Sequence, residues 1–126
     1  MAAAEWIRSI CLSLPGVTEE ILWGDDLVFK VSGRMFCIAP LDPGSVLVSF
    51  KVDGGEFAEL VERPGVIPAP YLARAGWIAL ESGDALTPQE LRRRIVRSWE
   101  LVVSRLPKRE RDRLNALRPP SPAASG

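Results

Sequence analysis

Residues 27–52 read Leu27-Val-Phe-Lys-Val-Ser-Gly-Arg-Met-Phe-Cys-Ile-Ala-Pro40, then Leu41-Asp-Pro-Gly-Ser-Val-Leu-Val-Ser-Phe-Lys-Val52. Leu27, Phe29 and Val31 alternate with Val28, Lys30 and Ser32, the two-residue period of a strand with one buried face. Ser32-Gly33-Arg34 supplies a tight turn, Met35 to Pro40 a second strand, Asp42-Pro43-Gly44 another turn, and Val46 to Val52 a third strand. Immediately upstream, Glu20 to Trp23 forms a short strand that stops at Gly24-Asp25-Asp26. Four short strands joined by tight turns predict an antiparallel meander.

The period changes on either side. Trp6, Ile7, Ile10, Cys11 and Leu14 fall at helical spacing, and Pro15-Gly16 stops that helix. After the meander, Asp53 and Glu56 have the spacing of a capping box for a helix carrying Phe57, Leu60 and Val61, which Pro64-Gly65 ends. Residues 66–76, rich in Pro and Ala, read as a loop, and Trp77 to Glu81 as a fifth strand. Thr87-Pro88-Gln89-Glu90 joins a Thr cap, Pro at the first helical position and a capping-box Glu. The helix it opens carries an apolar stripe of Leu91, Ile95, Trp99, Val102 and Leu106. Arg93, Arg94, Arg97 and Arg105 project away from that stripe. Leu101 sits among those arginines, which predicts cover by Leu114 or Leu117 after Pro107, or by a partner. The chain is therefore one α+β domain over 1–117 in two layers. A mainly antiparallel five-stranded sheet has helices on one face, in the order α-β-β-β-β-α-β-α. Residues 118–126 read as a disordered C-terminal tail.

Composition narrows function mainly by exclusion. The chain has 126 residues, two cysteines and no histidine. Without histidine there is no Ser-His or Cys-His nucleophile pair and no mixed Cys/His zinc site. Cys11 and Cys37 occupy apolar positions with no Cys-x-x-Cys spacing, so buried, inert thiols are expected. The N-terminus lacks the basic start and apolar core of a secretory signal, and no apolar run reaches membrane-spanning length. A cytoplasmic, non-enzymatic protein without cofactor, metal or membrane contact is the expectation.

Charge is unevenly spread within a net charge of zero. Residues 1–86 hold six basic and twelve acidic side chains (6 − 12 = −6), whereas residues 87–126 hold ten and four (10 − 4 = +6). Such asymmetry marks either a surface for an acidic partner or the solvated face of a helix. The carboxylate pairs Glu19/Glu20 and Asp25/Asp26 read as strand and turn chemistry, and Gly54-Gly55 lacks the context of a phosphate loop. Lys30, Arg34, Lys51 and Arg74, with Trp77 as an aromatic platform, form one candidate cationic surface. Arg93, Arg94 and Arg97 form another, able to face a phosphate backbone.

Leu14-Pro-Gly-Val-Thr-Glu-Glu20, Trp23-Gly24, Phe29-Lys-Val-Ser-Gly-Arg-Met-Phe36, Lys51, Pro68-Ala-Pro-Tyr-Leu72, Gly76-Trp77 and Ser98-Trp99 together resemble the MmcQ/YjbR-like proteins. That resemblance runs from about Trp6 to Pro107. It implies an α+β fold often called frataxin-like or secretion-chaperone-like, in small bacterial cytoplasmic proteins commonly labelled DNA-binding. Two departures are visible. Many members have a basic-His-Trp sequence where this chain has Ala75-Gly76-Trp77, and Tyr where it has Trp99. If that His and its basic neighbours contact nucleic acid, part of the site is missing here. The frataxin analogy would suggest iron, but the first helix offers Glu5 as its only acid. The expected partner is DNA, held weakly and in a salt-sensitive way by Lys30, Arg34, Lys51, Arg74 and the arginines of the last helix, with Trp77 exposed for stacking. A protein partner or a homodimer is the open alternative.

Overall fold

The alternating run forms adjacent antiparallel strands. In a computed structural model, which describes residues 3–42 and 46–118, they are β1 (Val17–Leu22), β2 (Asp26–Val31), β3 (Arg34–Pro40) and β4 (Val48–Lys51). Ser32 and Gly33 join β2 to β3 at φ of 50° and 79°. Two consecutive positive φ values mark the hairpin turn whose twist matches its flanking strands. Most of the expected turn at Asp42-Pro43-Gly44 lies outside the described residues.

The sheet has six strands rather than the expected five. Segment 66–76 is not a plain loop: it contains β5 (Val66–Pro68) and a short 3-10 turn, η1 (Ala73–Ala75). β5 pairs antiparallel with β6 (Trp77–Leu80), and the sheet order is β1-β2-β3-β4-β6-β5. A proline is tolerated in β5 because that strand lies at the sheet edge.

Helices α1 (Ala3–Leu12), α2 (Gly54–Leu60), α3 (Pro88–Val103) and α4 (Lys108–Ala116) complete the fold. The expected stripe of α3 and its extension is buried in full: Leu91, Ile95, Trp99, Val102 and Leu106. They meet Ile7 and Ile10 of α1 and Phe29, Phe36 and Phe50 of the sheet in one core. The segment after Pro107 folds back as α4, with Leu114 fully buried near Gly16 and Val31. Leu117 stays exposed and Leu101 is half-buried. Arg118, the first residue of the expected tail, pairs with Glu100 at 2.8 Å and lies over the Trp99 ring. The rest of the tail lies outside the described residues.

Local capping chemistry is used at one helix and diverted at the other. The Thr87 hydroxyl accepts the Glu90 N–H at 3.1 Å, as its spacing predicts. Asp53 makes no side-chain cap; its carboxylate takes two hydrogen bonds from Arg97, at 2.8 and 3.0 Å. The charged bidentate pair wins over a single neutral N–H donor.

Ser98 performs a second structural task. Strands β3 and β4 match at only two positions, Cys37 with Phe50 and Ile38 with Ser49. Beyond them the buried Ser98 hydroxyl donates to the Phe36 carbonyl at 2.6 Å and accepts from the Lys51 N–H at 3.0 Å. A helix side chain thus supplies the rung where two strands part. Cys11 and Cys37 are free and fully buried, and burial together with their mutual contact pushes the Cys11 thiol far up. This fits the expectation of inert thiols.

Acid sensitivity follows from the ion pairs. Hydrogen bonds from Arg97 hold the Asp53 carboxyl below the usual range, and Arg8 does the same for Glu19. Arg113, helped by Ser32, lowers Glu110 to about 2. Carboxyls lowered by folding stabilise the fold above their unfolded values and lose that contribution as pH falls through the folded ones. The melting temperature should therefore stay level from pH 7 to about 5 and fall by only a few degrees below about pH 4, since these pairs are exposed and screened by solvent. A calorimetric pH series checks this, and a melting temperature unchanged at pH 3 contradicts it.

Candidate functional site

Side chains alternate across a sheet, so its two faces carry different sets. Phe29, Phe36, Phe50, Ile78 and Leu80 point to the helices. Val28, Ile38, Trp77 and Ala79 belong to a second cluster, to which no helix contributes a buried residue among the described residues. A strap of residues 69–76 covers part of this open face. The Ala69 N–H donates to the Trp77 carbonyl at 3.0 Å, and the Trp77 N–H to the Leu72 carbonyl at 3.3 Å.

The strap corrects one expectation. Trp77 is only 4 % exposed, enclosed with Ala69, Val28 and Ile38. It cannot serve as an exposed stacking platform. Alternation placed it on the correct face, but whether a loop would cover that face depends on tertiary folding.

The basic candidates also divide. Lys30 is ion-paired with Glu20 across β1 and β2. Arg94 is largely buried between Glu56, at 2.7 Å, and Glu90, at 3.5 Å. Arg97 is held by Asp53 and Glu100, and the exposed Arg93 lies 3.8 Å from Glu90. The arginine face of α3 is thus neutralised by carboxylates, chiefly from α2 and its own turns. Arg74 is exposed on η1 and is not among the residues that line the cleft described next.

Arg34 and Lys51 do come together. With Met35, Trp77, Val102 and Arg105 they line a cleft of about 210 Å³. None of the three cations in it has an ion pair among the described residues. Three like charges without a counter-charge favour an anion.

Met35 also lines a larger, mainly apolar pocket of about 550 Å³, shared with Trp23, Ile38, Ser49, Tyr71 and Asp26. Trp23 is 65 % exposed and Tyr71 fully so. Both have positive φ, 52° and 66°, which bulky residues rarely adopt. Burial, and then the neighbouring Asp25, raises the Asp26 carboxyl above its usual range. Sequence reasoning did not place Trp23 or Met35 in a site, and it grouped Arg105 with the α3 arginines rather than with Arg34 and Lys51. Arg105 reaches the cleft from the turn between α3 and α4, which strand alternation cannot reveal. Among the described residues no group of three or more His, Cys, Asp or Glu side chains could hold a metal, and no helix is long and apolar enough to cross a membrane.

Comparison with known proteins agrees with this architecture. Over 116 residues the chain is 29 % identical to the uncharacterized protein YbdF of Escherichia coli O157:H7, covering 87 % of this chain and 92 % of that one. A crystal structure of Deinococcus radiodurans protein DR2400, a DUF419 domain, superposes with a TM-score of 0.80 at 27 % identity. That match covers 91 % of this chain and 89 % of the other. A Pseudomonas syringae protein shares the fold alone, with a TM-score of 0.62 at 19 % identity over 80 % of this chain and 98 % of its own. The YjbR family model matches residues 12–101, a span from the end of α1 through most of α3, and the chain belongs to the YjbR family.

Proposed function

We propose that the protein is a non-enzymatic cytoplasmic module that binds nucleic acid on the open sheet face, and single strands in preference to duplex. The observation that carries this reading is the convergence of Arg34, Lys51 and Arg105 in one cleft, without a carboxylate partner among the described residues. Phosphates are held there, while the exposed rings of Trp23 and Tyr71 offer stacking surfaces on the same face. The paired arginines of α3 fit this role less well, since a phosphate would have to displace carboxylates already in place.

Fluorescence anisotropy with a labelled mixed-sequence single strand and its duplex, over a salt series, tests the proposal. Binding of the single strand is expected at a dissociation constant of order micromolar in low salt. Three phosphate contacts give a slope of about −2 in log K against log salt. Joint replacement of Arg34, Lys51 and Arg105 by Ala should abolish binding, while Arg93→Ala should leave it unchanged. No binding in low salt, or equal binding by the triple variant, overturns the reading. A protein partner or second copy of the chain is the other reading, favoured by the exposed Ile21, Trp23 and Leu41.

A further inference from the structure

We propose that the larger open-face pocket is a binding site for a small ring-bearing organic anion, a carboxylate or phosphomonoester, with its ring over Met35 and Ile38 and its acidic group at Lys51, Arg34 and Arg105. Its volume of about 550 Å³ falls in the range of small-molecule sites, and its lining is mainly apolar with few polar groups. Asp26 is the charged residue of the pocket's lining, and the three cations line the adjoining cleft, which shares Met35 with it. Asp26 lies opposite Pro40, at the far end of β3 from Met35. Lys51 follows Ser49 on the same face of β4, about 7 Å along the strand and toward the Met35 end. That distance is roughly the span of one or two fused rings. An anionic group is repelled by Asp26 and attracted by the three cations, so the ligand has one favoured orientation.

The backbone supports the same location. Of the three non-glycine residues with positive φ among the described residues, Trp23 and Ser32 are each explained by a hairpin turn with a following positive-φ glycine, and the third, Tyr71, lines this pocket. Strained backbone at a cavity wall is a recurrent property of ligand sites. The inference concerns small molecules and does not rest on nucleic-acid binding.

Titration calorimetry with 1-naphthyl phosphate, 1-naphthoate and the neutral 1-naphthylmethanol tests it. Both anions should saturate one site at a dissociation constant on the order of 10–100 µM. The neutral alcohol should bind at least about tenfold more weakly. Replacing both Arg34 and Lys51 by Ala should erase that difference and keep the alcohol's affinity. Val46→Trp, which fills the pocket, should abolish binding while circular dichroism stays unchanged. If that variant fails to fold, Tyr71→Ala, at a fully exposed side chain, should weaken both anions by about tenfold. Absence of saturable binding, equal affinity for anion and alcohol, or anion binding undiminished in folded Val46→Trp or in Tyr71→Ala overturns the proposal. The outcome is separable from the nucleic-acid reading. Naphthyl phosphate binding without single-strand binding leaves this site standing and removes the other, and the reverse result removes this site alone.

Discussion

Replacing Trp99 with alanine is expected to cost about 3–5 kcal/mol of folding stability, the usual range for deleting a fully buried large aromatic. The ring is 0 % exposed in the main core, and its Nε1–H donates to the Pro15 carbonyl at 3.1 Å. Arg118 lies 5.2 Å from the ring centroid. One side chain therefore joins α3, the corner between α1 and β1, and the end of the described chain. A loss of this size is a large fraction of the roughly 5–15 kcal/mol that holds an ordinary domain together. Urea unfolding followed by far-ultraviolet circular dichroism measures it. Trp99→Phe should lose less, about 1–2 kcal/mol, because most apolar volume remains while the Pro15 carbonyl loses its donor. A Trp99→Ala loss under about 1 kcal/mol would show that the core closes over the vacancy.

Ser98→Ala should cost about 2–3 kcal/mol, far more than the loss of one oxygen suggests. Two backbone groups, the buried Phe36 carbonyl and the part-buried Lys51 N–H, lose their partner at once. Hydrogen exchange provides a local measure beside the urea midpoint. The Lys51 amide should exchange much faster in the variant, whereas amides of the β1–β2 ladder should change only with global stability. Unchanged protection at Lys51 would mean that the strands close the gap themselves. The same variant links fold and site, because the hydroxyl holds the backbone N–H of Lys51, a residue of the cationic cleft.

How much of this was legible in the sequence depended on how far each cause lay along the chain. The alternation of residues 27–31 and the Thr87-Pro88 cap are local, and the strand and the cap appear as read, except that Val28 on the second face is buried as well. The Asp53–Glu56 spacing looked equally local, but Arg97, in a helix far downstream, took the carboxylate. β5 has three residues ending in proline, too few for a period to appear. α4 buries Leu114 as its one core side chain, so it carries no apolar stripe. At the site, Lys51 was legible as a polar strand position and Arg34 as a turn residue. Their company with Arg105, and the covering of Trp77 by the strap, are properties of packing. The α3 arginines looked free because their carboxylate partners in α2 are distant in sequence.

Those pairs give the chain's uneven charge a consequence before any packing exists. Residues 1–86 and 87–126 carry −6 and +6, and Asp53 and Glu56 from the first meet Arg97 and Arg94 from the second. In an unfolded ensemble such segments attract one another over about 10 Å at 0.1 M salt. The acidic portion acts as a tethered counterion for the basic one. Attraction of this kind biases the conformational search toward compact states in which α3 already lies near α2, and it weakens as salt screens it. Ionic strength thus sets not only how the folded protein meets an anion but how readily its two ends find each other.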